Sequence, residues 1–306
     1  MNKFTLSIIM SNFNYAHFIH EAIDAILSQS RLPDEFIIID DASTDNSIEV
    51  IQNLIKNFSF IKLVRHKKNT GVIDLANEGI RISSGDFLYL AASDDKILPG
   101  FIEKSMQFLE ENPNLSICTS IPGFFNNTNS SDITFNPMHR NGNIIFDKKN
   151  IIKALRYENF WLPSHSTIIR RDIAIKYGGY TKRLNHFCDW FLNIKIVLMH
   201  GMGYLAEPLA AMRMHQNSYS AQKRKNTSEE RKIFYKLLDI IEEEDKDLKS
   251  AFKNSGVINQ LGMKNVVFLI SKPNYWSYLV PILARKFKKL CIKLNNSIRN
   301  AFFSIS

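Results

Sequence analysis

Four short runs of bulky apolar residues, each followed by a helix-like segment, constrain the fold of this chain most strongly. The runs cover residues 6–10, 36–39, 61–64 and 87–90. The segments after them repeat apolar residues at helical spacing, and they cover residues 17–30, 47–57, 71–83 and 99–111. Continuous apolar runs are typical of parallel strands that are buried on both faces. The alternation therefore predicts an α/β fold in which helices flank a mostly parallel sheet.

Polar clusters follow three of these strands, at residues 11–14, 40–45 and 93–95. The carboxyl ends of parallel strands meet at one edge of a sheet, where α/β proteins bind their ligands. Asp40 with Asp41, and Asp94 with Asp95, form paired carboxylates that can hold a divalent cation bridging two phosphates. Such acids also cap helices by accepting bonds from free backbone amides. For either pair alone, capping is the simpler interpretation.

Taken together, these segments resemble inverting glycosyltransferase family 2, of the bacterial polysaccharide-biosynthesis type. The matching runs are SIIMSNFNY at 7–15, IIDDASTD at 38–45, NTG at 69–71, NEG at 77–79, SGDF at 84–87 and ASDD at 92–95. LPG at 98–100, STIIRR at 166–171, GGY at 178–180, DW at 189–190 and RMH at 213–215 continue in the family's order. The resemblance implies a GT-A fold, with a Rossmann-like mixed sheet and flanking helices, over residues 1–220. Residues 221–306, which it does not cover, read as a C-terminal helical region.

The resemblance also implies an activity and a set of site residues. A sugar would pass, with inversion, from a nucleotide diphosphate such as a UDP-sugar to a hydroxyl of a glycan or lipid-linked glycan acceptor. Asp189 would be the catalytic base, and the nucleotide would contact Ser11, Phe13, Asn14, Asp41, Ser93 and Asp94. Within this set, Asp41 would accept a hydrogen bond from the uracil ring. The metal, Mn²⁺ or Mg²⁺, would bind Asp94 and His215, and the sugar or acceptor would meet Asp95, His165, Trp190 and Arg213.

Residue type alone suggests other roles for several of these side chains. A lone histidine such as His215 is more often packed or at the surface than a ligand. His165 is equally well a core histidine, and Arg213 is equally well part of a structural ion pair. A large aromatic residue such as Trp190 belongs by default to the core. Only the order of the motifs favours the functional interpretation.

Two positions depart from the family's pattern. Ala92 stands where the first Asp of the metal motif is expected, and Cys188 stands where an acid usually precedes the base. Neither change removes the implied metal ligand or the implied base. A family member that had lost its activity and kept a binding role would show such changes first, so this alternative stays open.

Other nucleotide-binding classes fit the sequence less well. A nucleotidyltransferase of similar fold would carry a glycine-rich basic loop after the first strand, but residues 11–16 contain neither glycine nor a cation. A dehydrogenase would need G-x-G-x-x-G at that point. The formal charge of +9, from 39 Lys and Arg against 30 Asp and Glu, suits a polyanionic partner. Because the basic excess is scattered and heaviest at the C-terminus, we expect no nucleic acid partner.

The C-terminal region carries a second hypothesis. Residues 275–303 mix aromatic and aliphatic residues with lysine and arginine, as membrane-surface helices do. Peripheral contact with the inner face of a membrane, packing against the catalytic domain, and a homodimer contact are equally compatible with this pattern. No apolar stretch is long enough to span a bilayer. Three widely separated cysteines and an N-terminus that reads as a buried strand, rather than a signal peptide, lead us to expect a cytoplasmic protein.

Overall fold

The computed structural model describes residues 3–126, 129–136, 142–158, 162–216, 218, 221 and 227–287. Its first part alternates strands and helices in the order β1 (Leu6–Asn12), α1 (Ala16–Leu27), β2 (Glu35–Asp40), α2 (Ser47–Ile55), β3 (Ile61–Arg65), α3 (Val72–Ile82), β4 (Phe87–Ala92), β5 (Lys96–Ile97) and α4 (Phe101–Glu111). All eight elements predicted from the sequence are present. The fourth helix begins two residues later than predicted, because Gly100 adopts a left-handed φ of 85° and separates Pro99 from the helix.

The second part contributes further strands, helices and 3₁₀ turns. They are β6 (Ile117–Asn126), β7 (Asn129–Phe135), β8 (Ile144–Phe146), α5 (Lys148–Tyr157), β9 (Thr167–Arg170), α6 (Arg171–Lys176), α7 (Cys188–His200) and β10 (Met202–Met214). A 3₁₀ turn, Ser164–Ser166, leads into β9. After β10 come α8 (Thr227–Glu243), α9 (Lys246–Ser255), α10 (Met263–Ile270), a 3₁₀ turn (Pro273–Tyr278) and α11, described over 279–287.

One sheet joins the strands in the order β3-β2-β1-β4-β9-β6-β10-β5, with β7 on β6 and β8 on β10. Strands β1 to β4 pair in parallel. Strand β9 is antiparallel to both β4 and β6, while β10 runs parallel to β6. The carboxyl ends of β1, β2, β4, β6 and β10 and the amino end of β9 therefore share one edge. We call it the carboxyl edge.

Hydrophobic cores cover both faces of the sheet. Ile8 and Ile38 belong to one core, while the next residues in each strand, Ile9 and Ile39, belong to the other. This two-sided burial explains the continuous apolar runs of the sequence. Backbones also approach closely, since a Cβ on Gly79 would lie 2.2 Å from the side chain of Ile9. Glycine is the side chain that lets α3 pack directly on β1.

The C-terminal helices pack against the sheet-bearing part of the chain through α7. Phe191 of α7 stacks on Phe252 of α9 with ring centroids 5.7 Å apart, and Phe234 and Leu237 of α8 are buried in the same core. The proposed division at residue 220 is thus bridged by a common core. Among the residues described, no helix combines the length and apolarity needed to cross a bilayer.

Candidate functional site

The carboxyl edge gathers most of the side chains singled out in the sequence. The loop after β1 carries residues 13–15, the loop after β2 carries 41–46, and the turn after β4 carries 93–95. The end of β10 brings Arg213 and His215 to this edge, and the turn before β9 brings Ser164 and His165. The loops converge because β1, β2, β4 and β10 run in one direction, and β9 runs in the opposite direction and so brings its amino end to the same edge.

Asp94 and His215 meet at this edge. The Oδ2 atom of Asp94 lies 2.8 Å from Nε2 of His215, and both side chains are largely buried. The rings of Tyr15 and Phe18 flank the imidazole, with centroids 5.9 and 5.4 Å from it. The two residues predicted to share a metal are therefore in direct contact.

Arg213 holds the Asp94–Asp95 turn in place. Its backbone N–H donates to Oδ1 of Asp95 at 2.8 Å, and its Nε donates to the carbonyl oxygen of Asp94 at 2.9 Å. The guanidinium also pairs with Glu21 of α1. It lies between the rings of Phe18 and Phe125, at 4.5 Å from each centroid. These contacts account for the buried side chain as a structural anchor of the turn.

The turn concentrates negative charge. Burial raises the pKa of Asp95 well above its usual range, and the carboxylate of Asp94 raises it further. Burial likewise raises the pKa of the Tyr15 hydroxyl, to which Asp94 and Asp95 add. A cation placed here would relieve this repulsion, which makes the turn an electrostatically suitable cation site.

Asp41 organises a different part of the edge. Its Oδ1 accepts bonds from the backbone N–H of Thr70 at 2.9 Å and from Nδ1 of His66 at 3.1 Å. Its Oδ2 accepts from the N–H of Gly71 at 2.7 Å. Burial lowers the pKa of His66, but its bonds to Glu78 and Asp41 outweigh burial and raise it. In this structure Asp41 ties the loop after β3 to the end of β2, and its bond to uracil stays a prediction.

The loops after β1 and β2 are joined by side-chain hydrogen bonds. Oδ1 of Asn14 accepts from the N–H of Thr44 at 2.7 Å, while Oγ of Ser43 accepts from the N–H of Asn14 at 2.9 Å. Asp40 binds Ser43 through both carboxylate oxygens and accepts from the amide of Asn12. Asn14 and Ala42 both have left-handed φ, at 55° and 62°. Asp40 thus acts within its loop and does not cap α2, whose N-cap residue is Asn46.

Three further predicted nucleotide contacts differ in accessibility. Phe13 is 43% exposed beside the β1 loop, and Ser11 is half-buried on β1, opposite Ile39 and Ala92. Ser93 is buried, and its Oγ has no hydrogen-bond partner among the residues that the structure describes. A buried hydroxyl without a partner costs free energy, so Ser93 is suited to a bond with a ligand.

Asp189 lies in the first turn of α7, where the helix dipole favours negative charge. Its Oδ2 accepts a bond from Oγ of Ser164 at 3.0 Å. The same Ser164 hydroxyl accepts from Asn193 at 3.2 Å and is hydrogen-bonded to Tyr180. Burial, with Asp189 and Cys188 nearby, raises the pKa of Tyr180 well above its usual range. The carboxylate is therefore oriented by a hydrogen-bond network.

His165 and Trp190 are both buried, and their contact with a sugar or acceptor stays a prediction. His165 is buried, and burial lowers its pKa to about 3 although it is hydrogen-bonded to the backbone of Gly123. Trp190 is buried in the core, and its indole N–H donates to Gln260 at 3.1 Å. Cys188, beside the predicted base, is also buried in that core, and burial raises the pKa of its thiol. Their surroundings are those of core side chains.

Several neighbours of the site were missed by the sequence reasoning. Tyr15 lies in the motif at residues 7–15, but the resemblance implies no role for it. Glu21, the partner of Arg213, lies within the predicted helix 17–30, where its acid reads as a solvated helix face. Ser164 and Asn193 carry no sequence signal of their own, because only folding brings them to Asp189.

The donor atoms present fit a divalent cation. A carboxylate oxygen and an imidazole nitrogen that converge at 2.8 Å are suitable ligands for Mn²⁺. Within the described part of the chain, no three or more His, Cys, Asp or Glu side chains form a metal-binding group. Among the described residues, Asp94 and His215 are the pair brought together here, and phosphate oxygens and water would complete the coordination of an ion held by them.

Comparisons with known proteins agree with this architecture. The family model described as Glycosyl transferase family 2 matches residues 7–178. A glycosyltransferase of Haemophilus influenzae, itself uncharacterized, is 37% identical over 112 residues, which are 37% of this chain and 45% of that protein. This chain therefore spans less than half the length of that curated relative.

Two solved structures share the fold. Crystalline S. aureus TarS 1–349, in complex with UDP-GlcNAc, superposes with a TM-score of 0.69 at 15% identity, over 90% of this chain and 79% of that one. The mannosyltransferase PcManGT of Pyrobaculum calidifontis, in complex with GDP-Man and Mn²⁺, gives 0.56 at 14% identity, over 94% and 89%. These likenesses confirm the predicted GT-A type of sheet with flanking and C-terminal helices. Since the family model covers more than half of the chain, this protein belongs to glycosyltransferase family 2.

Proposed function

We propose that this protein is an inverting glycosyltransferase that moves a sugar from a nucleotide diphosphate, UDP first of all, to a hydroxyl of a glycan or lipid-linked glycan. The observation that carries the proposal is the contact between Asp94 and His215 at the carboxyl edge. Ser164 donates a hydrogen bond to Asp189 at the same edge. In α/β sheets this edge is where ligands bind.

The donor half of the proposal rests on the loops after β1, β2 and β4. Hydrogen bonds between the loops after β1 and β2 fix their conformation before a ligand binds, so binding costs little conformational entropy. Ser93 offers a buried hydroxyl that lacks a partner among the described residues, and exposed Phe13 offers an aromatic face. The solved structures of TarS in complex with UDP-GlcNAc and of PcManGT in complex with GDP-Man support a nucleotide-sugar donor, and UDP is the first diphosphate to test.

Asp94 and His215 would hold a divalent cation, Mn²⁺ or Mg²⁺. When bound, such an ion supplies charge neutralisation at the diphosphate that leaves. Arg213 positions Asp94 for this role, because it donates hydrogen bonds to the backbone carbonyl of Asp94 and to the carboxylate of Asp95. The acidic turn would otherwise repel a diphosphate.

Asp189 would act on the acceptor. The proton of the acceptor hydroxyl passes to its carboxylate, the freed oxygen bonds to the anomeric carbon, and the bond from that carbon to the diphosphate oxygen breaks on the opposite face. One displacement inverts the anomeric configuration. Ser164, donating to Oδ2 at 3.0 Å, fixes the orientation of the carboxylate.

Calorimetric titration tests the donor half. UDP, GDP and dTDP would each be titrated with Mn²⁺ and again with a chelator. We expect one diphosphate to bind only with the metal, and Asp94→Asn to weaken that binding at least about tenfold. Asp24→Asn is the matched control, because Asp24 lies exposed on α1 in a pair with His20. Binding that does not depend on Asp94 would contradict the assigned cation site.

Release of UDP from UDP-GlcNAc, with water as acceptor, tests the chemical half. Asp189→Asn keeps the size of the side chain and a bond to Ser164 but cannot accept the proton. We expect its rate to fall at least about a hundredfold while its affinity for UDP is unchanged. If the unmodified chain binds a diphosphate yet turns over no donor sugar, it is a binding protein with the family's fold.

A further inference from the structure

The net charge of this chain resides entirely in its last 59 residues. Residues 248–306 contain ten Lys and Arg and no Asp or Glu, whereas residues 1–247 contain the other 29 cations and all 30 acids. The part of the chain that carries the site is therefore close to neutral. A cationic segment at one end of a neutral protein is typical of an element that meets an anionic partner.

The same segment exposes apolar side chains. Helix α10 buries Val266 and Leu269 against the core, yet its opposite side exposes Met263, Val267 and Ile270 by 55–57%. A helix that is apolar on both sides needs a second covering. Nothing in the described part of the chain supplies one.

The exposed surface continues beyond α10. Its next members are Trp276 of the 3₁₀ turn and Val280, Leu283 and Phe287 of α11, exposed by 52–69%. The three residues of α11, at spacings of three and four, form one helical stripe that continues from Trp276. The indole N–H of Trp276 donates to the carbonyl of Ile270 at 3.1 Å, which joins the stripe to α10. These four residues and the three of α10 form what we call the apolar face. It exceeds the isolated exposed residues that are normal on proteins.

A basic cavity opens beside the apolar face. It has a volume of about 540 Å³ and is lined by the cations Arg156, Lys246, Lys249 and Lys253. Glu242 on α8 forms ion pairs with both Lys249 and Lys253, and within the described residues it is the acid paired with these cations. The cavity therefore has an excess of positive charge. Val280 belongs to both its lining and the apolar face, so the two features are continuous.

We propose that the apolar face and the basic cavity together bind an anionic phospholipid surface. The apolar side chains enter the interfacial layer, and the cavity takes a headgroup phosphate. Apolar residues flanked by cations are what such a surface selects. A second copy of the chain would instead bring two strongly cationic segments together, which like-charge repulsion opposes. Nucleic acid would match the cations but would not cover the exposed leucine and valine side chains.

Vesicle co-sedimentation of the full-length chain tests this proposal. The vesicles contain phosphatidylcholine alone, or with about one-third phosphatidylglycerol. Leu283→Glu alters the apolar face, and Lys246→Glu alters the cavity. Ile175→Glu and Lys56→Glu are the matched controls, since Ile175 is exposed on α6, Lys56 is exposed just after the end of α2, and both lie outside the apolar face and the cavity. Circular dichroism checks that each variant is folded.

We expect binding to the anionic vesicles that is at least about tenfold tighter than to phosphatidylcholine, and weaker at high salt. Leu283→Glu and Lys246→Glu should each reduce it about tenfold, and the controls by less than about twofold. Equal binding to both vesicles, or equal losses in the controls, would overturn the proposal. The proposal would also be overturned if the chain bound inorganic phosphate through Lys246 but did not bind vesicles. It would be overturned as well if the chain bound no vesicles and formed dimers, seen by sedimentation velocity, that Leu283→Glu dissociates. Each readout is independent of donor turnover.

Discussion

Replacing Arg213 with methionine removes the guanidinium that ties the Asp94–Asp95 turn to α1. Methionine keeps an apolar stem between the rings of Phe18 and Phe125. It loses the bond to the carbonyl of Asp94 and the pair with Glu21, while the backbone bond to Asp95 survives. The substitution thus isolates what the charged group does for the turn.

The expected loss of stability follows from these contacts. A charged donor on a carbonyl is worth about 1.5–3 kcal/mol. The pair with Glu21 adds about 0.5 kcal/mol, because that carboxylate is 38% exposed and solvent screens it. The loss of the contacts between the cation and the two rings costs about 1 kcal/mol, because methionine restores only part of that packing. Removing a buried cation stabilises the fold by about 1 kcal/mol, because its desolvation is no longer needed. We therefore expect destabilisation of about 2–3.5 kcal/mol, or a fall in Tm of roughly 3–5 °C for a chain of 306 residues.

Arg170→Met is the matched control. Arg170 lies between the rings of Phe4 and Phe87 and donates to the carbonyl oxygens of Pro113 and Leu115, at the opposite edge of the sheet. Urea unfolding followed by circular dichroism should give both variants a similar loss of stability. Calorimetry with UDP and Mn²⁺ should separate them, because only the loss of Arg213 loosens the turn.

We expect at least about tenfold weaker binding of UDP with Mn²⁺ for Arg213→Met and unchanged binding for Arg170→Met, at a temperature where both are folded. If the two variants lose stability equally and bind UDP equally, the guanidinium does not position Asp94. The reasoning would also be refuted by an Arg213→Met protein as stable as the unmodified chain.

Two further predictions concern the loops around Asp41. The raised pKa of His66 means that its contribution to stability is complete below pH of about 6.5 and is lost as pH rises through the raised value. The stability lost on His66→Gln in urea unfolding should therefore be larger at pH 6 than at pH 9, and an equal loss would contradict the assigned ion pairs. Ala42 has a left-handed φ of 62°, so Ala42→Gly should raise the unfolding free energy by about 0.5–1 kcal/mol; a loss of stability would show that Ala42 is not strained.

The parallel half of the fold could be predicted because both faces of its strands are buried. Ile8 and Ile9, or Ile38 and Ile39, face opposite cores, so each strand leaves an uninterrupted apolar run in the sequence. Strand β10 leaves no such run, because it contains Pro208 and is interrupted by irregular pairing with β6. Strand β9 gives a weak signal because it is only four residues long, and β6 because Pro122 and Gly123 interrupt its apolar residues.

The site was predictable as an edge but only partly as a set of contacts. The meeting of Asp94 with His215, 121 residues apart, followed from the resemblance and is seen in the structure. The sequence could not show that Arg213 turns toward Glu21 and the Asp94 carbonyl, because that depends on packing between β10 and α1. Motif order locates residues along a chain, whereas burial and hydrogen bonding decide which atoms remain available.

The irregular middle of β10 also bears on how this chain can change in length. Leu205 pairs with Ser120 and Ala210 pairs with Pro122, so β10 places five residue steps against two in β6. The extra residues bulge out of the ladder, and pairing resumes in register on either side. Insertions or deletions at 206–207 can therefore be absorbed without changing the face on which Arg213 lies. An insertion or deletion of one residue after Ala210 would exchange the two faces of the strand. We therefore expect the length of β10 in relatives to vary only before that point.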